Sequence, residues 1–141
     1  MRRIAALALL AAVLPARVSA NDSYVCPGNG DDLHQLRIYE INPDNRDAFH
    51  ARFQDHALRI MDRHGFEVVD MWESDNGDKL EFVYVLSWPD RQAMESSWER
   101  FLADQEWIDI KQASAASGVL VRASNGQPLE RVSYSPACAS S

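Results

Sequence analysis

Apolar and polar residues alternate along Leu36-Arg37-Ile38-Tyr39-Glu40-Ile41, a period of two that predicts a first β-strand. Asn42-Pro43 follows, a capping residue with proline at the first helical position, and Phe49, Phe53, Ala57 and Ile60 then recur at helical spacing towards His64. Gly65 stands where a left-handed residue ends a helix, and Asp55 and Arg59, four residues apart, are set to pair on its outer face. Phe66 to Glu73 predicts a second strand and Leu80 to Trp88 a third, joined by the Ser74-Asp75-Asn76-Gly77-Asp78 turn with its Asn-Gly signal. A second helix is predicted from near Asp90 to about Gln105, with Met94, Trp98, Phe101 and Leu102 as its stripe. A shorter helical piece, Ile108 to Ala116, ends at Gly118. Val119 to Arg122 predicts a fourth strand and Leu129 to Tyr134 a fifth, pairing at an edge.

The order βαββαβ predicts an α+β, ferredoxin-like protomer, with an antiparallel sheet and helices on one face. Alternate residues of the strands are apolar on both sides. One set is Leu36, Ile38, Val69, Met71, Val83 and Val85; the other is Arg37, Tyr39, Val68, Asp70, Trp72, Phe82, Tyr84, Leu86 and Trp88. A monomer exposes one of these faces as a large apolar patch, which marks an interface or ligand surface. A second copy laid face to face would close a dimeric α/β barrel. A single bulge would invert the assignment of one strand's residues.

Residues 1–20 follow another pattern. Met1-Arg2-Arg3 is basic, Ile4 to Leu14 is apolar throughout, and Val18-Ser19-Ala20 places a cleavage site between Ala20 and Asn21. That order reads as a secretory signal, and the apolar run is too short to span a hydrocarbon core of about 30 Å. The expected product is exported, periplasmic or secreted, with no stable membrane insertion. Residues 21–32 form an irregular leader with Pro27, Gly28 and Gly30, residues 33–136 the folded domain, and residues 137–141 a tail. Export also changes the charge. The chain of 141 residues carries −7; without Arg2, Arg3 and Arg17 the remaining 121 carry −10. Such acidity excludes nucleic acid and anionic membrane surfaces as partners. A hydrophobic content of 46% excludes wholesale disorder.

In an oxidising compartment Cys26 and Cys138, near opposite ends of the mature chain, read as a disulfide. Neither belongs to a CxxC pair or adjoins a cation that would make it a reactive thiol. No Walker loop, GxSxG, HExxH or zinc spacing occurs, and no cofactor is expected. No two histidines are three or four residues apart, so no metal site is expected; Asp47/His50 is a lone candidate. His56 falls near the centre of the Phe49–Phe53–Ile60 stripe. It reads either as a core histidine with one hydrogen bond or as a pocket acid/base, the one candidate catalytic residue. His64 is placed to favour the negative end of the helix dipole. Arg37, Tyr39, Asp70, Trp72 and Tyr84 share the candidate barrel face. Arg37 and Asp70 either pair across strands or, with His56, form a ligand site of fixed charges beside aromatic walls.

Leu36-Arg37-Ile38-Tyr39 before Asn42-Pro43, His56-Ala57-Leu58 with His64-Gly65-Phe66, Trp72, Ala103-Asp104-Gln105-Glu106-Trp107 and Ser135-Pro136 together resemble the NIPSNAP family. The resemblance runs from about Leu33 to Pro136. It implies a ferredoxin-like protomer of the dimeric α/β-barrel group, pairing through its open sheet face. The charged Ser74 to Lys79 turn and the terminal cysteines depart from the family pattern. Three readings follow. The first is an exported, non-catalytic homodimer holding a small apolar or aromatic ligand between helices and sheet. The second is a cofactor-independent monooxygenase- or isomerase-like enzyme, and the third a structural interaction protein with a filled barrel. Mass spectrometry of the exported protein is expected to find Asn21 at the N-terminus and two hydrogens fewer than the dithiol form. Two free thiols would remove the disulfide.

Overall fold

The computed structural model describes residues 33–132; the expected signal segment, leader and tail, and Cys26 and Cys138, lie outside the described residues. β1 (Leu33–Ile41), β2 (Glu67–Asp75), β3 (Leu80–Trp88) and β4 (Val121–Leu129) form one sheet in the order β2-β3-β1-β4. Every neighbouring pair is antiparallel. Between β1 and β2 runs a helical rod: a 3-10 turn (Pro43–Asn45), α1 (Arg46–Arg52), a π-helical segment (Phe53–Ala57) and α2 (Leu58–Arg63). α3 (Arg91–Leu102) and α4 (Gln105–Ala115) link β3 to β4. This is the α+β, ferredoxin-like arrangement expected from the strand and helix order.

The first rod explains how a stripe spaced mainly by fours stays on one face. In an α-helix, steps of four drift by about 40° each. The wider π turn takes that drift back. Phe49, Phe53, Ala57, Ile60 and Met61 are accordingly all buried against the sheet. Gly65 closes the rod at φ 79°, a backbone that L side chains rarely adopt. Asn42 occupies the cap position, but its side chain does not cap. It donates instead to the Val119 carbonyl (2.9 Å) and accepts from Arg122 (2.9 Å), tying the rod to the entry of β4.

Three expectations need correction. β4 is a single strand through Ser124-Asn125-Gly126-Gln127-Pro128, so the separate strand predicted from Leu129 is absent among the described residues; Tyr134 lies outside them. Backbone pairing with β1 carries this turn-like sequence along an edge, where proline is tolerated. Leu102 is not part of the α3 stripe and is exposed, because the helix ends there while Met94, Trp98 and Phe101 face inward. Arg59 turns from Asp55 to Glu106 on α4, where the ion pair spans two elements instead of one turn.

Aromatic rings fill the layer between rod and sheet. Phe53 lies 4.7 Å from Phe82 and 5.5 Å from Tyr84, and Phe49 lies 5.2 Å from Phe82, all at steep angles. Each such side chain contributes about 1.5–3 kcal/mol by leaving water. Phe66, Trp88, Trp98, Phe101 and Trp107 continue the layer under α3 and α4.

A polar strap fixes α4 to the rod. The Asp104 side chain accepts from the Trp107 amide as the α4 N-cap (3.2 Å), from His64 (2.7 Å) and from Arg63 (2.7 Å). Arg63 and Arg59 also reach Glu106. The His64 and Arg63 contacts hold the Asp104 carboxyl well below its ordinary value of 3.8. A carboxyl held down on folding stabilises the fold above its unfolded pKa and loses that contribution as pH falls through the folded value. Urea midpoints are therefore expected to fall steeply below about pH 4 in the wild type and more gently in Asp104→Asn. Parallel curves would show that the strap adds nothing.

Candidate functional site

The register of the two central strands decides which side chains meet under the helices. Arg37 opposes Tyr84 on β3 and Gly126 on β4; Tyr39 opposes Phe82 and Ser124. Arg37 lies across Gly126, where a Cβ would stand 2.0 Å from its Nη1, so a side chain there would push the guanidinium from this position. Its guanidinium lies 4.6 Å over the Trp98 ring and 5.4 Å from the Tyr39 ring, and Nη2 is 3.5 Å from the Tyr39 hydroxyl. Gln35 fixes Trp98 by accepting from its indole N–H at 2.8 Å. Tyr39 and Tyr84 share a hydroxyl hydrogen bond of 2.8 Å. Arg37 Nε is buried with no hydrogen-bond partner among the described residues.

Burial opposes the charge on Arg37, but the Tyr39 and Tyr84 hydroxyls outweigh it and its pKa stands above the ordinary arginine value. Burial, reinforced by Tyr39, drives the Tyr84 phenol far above the usual tyrosine range. Tyr84 therefore stays protonated at any physiological pH, a hydrogen-bonding group and not a base.

A second cation approaches Tyr39 from the rod. Arg52 stands 5.7 Å over the Trp107 ring and donates to Ser114 Oγ (3.0 Å); desolvation lowers its pKa, and Tyr39 partly offsets this. Lys111, one turn after Trp107 on α4, places Nζ 5.9 Å from the same ring. Tyr39, Phe49, Arg52, Phe53, Ala57, Met61, Phe101 and Trp107 enclose a cavity of only about 30 Å³, the space of a single water. Outward from Arg52 the chain opens into a groove of about 410 Å³ lined by Lys111, Ala115, Gly118, Val119, Leu120 and Val121. From Arg122 to Leu129 β4 is exposed on both faces, so the helices roof β1 and β3 and leave this edge open.

Arg37, Tyr39 and Tyr84 thus meet, but under the helices and not on the barrel face expected for them, which is the open one; Asp70 and Trp72 do not join them. The β2–β3 register shifts between Val68 and Asp70. Beyond that bulge Asp70 opposes Val85 and Trp72 opposes Val83, which places both on the open face with Leu36 and Ile38. The Arg37–Asp70 ion pair is absent for this reason, and Asp70 instead accepts from the Met71 amide. His56 is half-buried on the π segment, makes no hydrogen bond among the described residues, and does not line the cavity. Asp47 and His50 do not converge: His50 bonds Glu73 (2.7 Å) and Asp47 pairs with Arg46. Among the described residues no group of three histidine, cysteine or acidic side chains is placed to hold a metal ion. Arg52, Lys111, Trp107 and Gly126 were not legible as site residues. Lys111 carries one usable signal, a tryptophan four residues before it and no acid three or four away.

The sequence model of the NIPSNAP family matches residues 34–136. Among solved structures, an uncharacterized NIPSNAP-like domain protein from Burkholderia xenovorans superposes at a TM-score of 0.65 with 18% identity, over 79% of this chain and 94% of its own. An uncharacterized NIPSNAP domain protein from the same organism gives 0.62 and 20%, over 74% and 99%. A nipsnap family protein with unknown function from Agrobacterium tumefaciens gives 0.64 and 17%, over 77% and 96%. No curated protein matches the chain.

The hydroxyl pair supplies a test of the site's interior. Tyr84→Phe leaves Tyr39 free to use Arg37 or water, and is expected to cost about 0.5–1.5 kcal/mol. Tyr39→Phe deprives a fully buried hydroxyl of its closest partner and is expected to cost more, about 1–3 kcal/mol. Urea unfolding measures both; the reverse order would mean the pair is not organised as described.

Proposed function

The chain belongs to the NIPSNAP family, and from the two faces of its sheet we propose that it works as an exported, non-catalytic homodimer with a small-molecule site in each protomer. The observation that carries the dimer is the open face. Leu36, Ile38, Val83 and Val85 form its centre, and Trp72, 50% exposed, stands beside them on β2. A second copy laid against this face would bury the patch and close the barrel. Charge supports the same choice, since two protomers of −10 repel least where their aliphatic strand faces meet.

The ligand reading moves to a different place. Space between helices and sheet is taken by Phe49, Phe53, Phe82 and Tyr84, which agrees with a filled interior. A ligand site therefore belongs at the mouth, where Arg52 joins the small cavity to the open groove beside β4. Binding fits these groups better than proton transfer, because the Tyr84 phenol stays protonated and arginine does not act as a base.

Size-exclusion chromatography with light scattering is expected to report a dimer that Trp72→Glu converts to a folded monomer, Trp72 being too exposed to be needed for the protomer core. Added salt should tighten the wild-type dimer by screening the like charges. A wild-type monomer at micromolar concentration would sink the barrel.

A further inference from the structure

Three cations at the open edge lack an acidic partner, in a chain where acids outnumber bases. Elsewhere Arg46 meets Glu73, Arg59 and Arg63 meet Glu106 and Asp104, and Lys79 meets Glu40; Arg91, Arg100 and Arg122 form no ion pair among the described residues either, but they are exposed. Arg37, Arg52 and Lys111 form no ion pair among the described residues; their neighbours are tyrosine hydroxyls, Ser114 and the faces of Trp98 and Trp107. Asp55, three residues after Arg52, does not pair with it. A half-buried guanidinium without a counter-ion is held at a desolvation cost that a bound anion would offset.

The surroundings give the rest of the ligand its character. The groove volume of about 410 Å³ suits a small organic molecule. Its polar end is Arg52 and Lys111, both held near the buried Trp107 ring; its other walls are Val119, Leu120 and Val121. Arginine's planar fork matches a carboxylate, and lysine adds a second point charge. We propose that this groove binds an organic carboxylate with a flat aromatic or apolar body, its anionic head held by Arg52 and Lys111 and its body laid along the Val119–Val121 wall. The proposal deepens and rests on the reading of the protein as a small-molecule binding module.

The test is calorimetric titration of the purified full-length protein with 2-naphthoate and with its neutral isostere, 2-naphthamide. Naphthoate is expected to bind at least about tenfold more tightly than the amide, as a charge-assisted contact requires. Arg52→Gln and Lys111→Gln should each weaken naphthoate about fivefold or more and leave amide binding unchanged. Lys111→Gln guards against a folding artefact, because Lys111 lies on the outer part of α4 and near-UV circular dichroism should be that of the wild type. Equal binding of acid and amide overturns the anionic head while leaving the binding module in place. Preference for the acid that survives both substitutions overturns the assignment to this groove. Failure of both compounds to bind overturns the proposal and the binding-module reading together.

Discussion

The wedge of Phe53 against Phe82 and Tyr84 is the contact on which the rest of the protomer depends. Phe53 opens the π segment, so the turn that sets the helix phase and the ring that grips the sheet belong to the same residue. Without that turn, Phe49 above it and Ala57 and Met61 below would fan away from the strands. With it, the rings close the helix–sheet layer down to about 30 Å³. A filled layer has two consequences. The interior keeps room for about one water, and the proposed ligand site lies at the edge, where β4 runs out from under the helices. Close packing on one side of the sheet also leaves the aliphatic strand residues to the other side, where only another surface can cover them.

Strands and helices were largely legible in the sequence because their periods are clean. β3 runs from Leu80 to Trp88 as alternation predicts, and α3 starts after Asp90, which caps it through the Ala93 amide. The misreadings have local causes. β4 was hidden because Asn125-Gly126 and Pro128 carry turn chemistry; strand pairing overrode it where backbone hydrogen bonds to β1 were available. Asp70 and Trp72 were grouped with Arg37, Tyr39 and Tyr84 because one unpaired residue, Val69, resets the alternation, and no residue type announces a bulge.

The site was legible only along one strand. Arg37 and Tyr39 are two residues apart on β1, and Tyr84 follows from simple pairing of neighbouring strands. Arg52, Trp107 and Lys111 converge from two helices far apart in sequence, and nothing in their spacing foretells that Tyr39 lies near them. Gly126 shows the limit from the other direction. Its glycine reads as a turn residue, yet its role is to give the Arg37 side chain a floor without a Cβ. That requirement exists only after β4 has paired with β1.

Charge distribution separates two uses of arginine that composition alone merges. Arg59 and Arg63 are spent on the strap that fixes α4 to the rod, half-exposed and matched by Glu106 and Asp104. Exposed pairs of this kind add little each, but a network that also caps a helix holds α4 in one position. α4 in turn carries Trp107 and Lys111 to the groove. The matched charges thus build the frame in which the unmatched ones are presented. The two proposed surfaces, meanwhile, alternate along a single strand: Leu36 and Ile38 point to the open face, Arg37 and Tyr39 to the helices. A partner on the first pair would bear on the same stretch of backbone that positions the second.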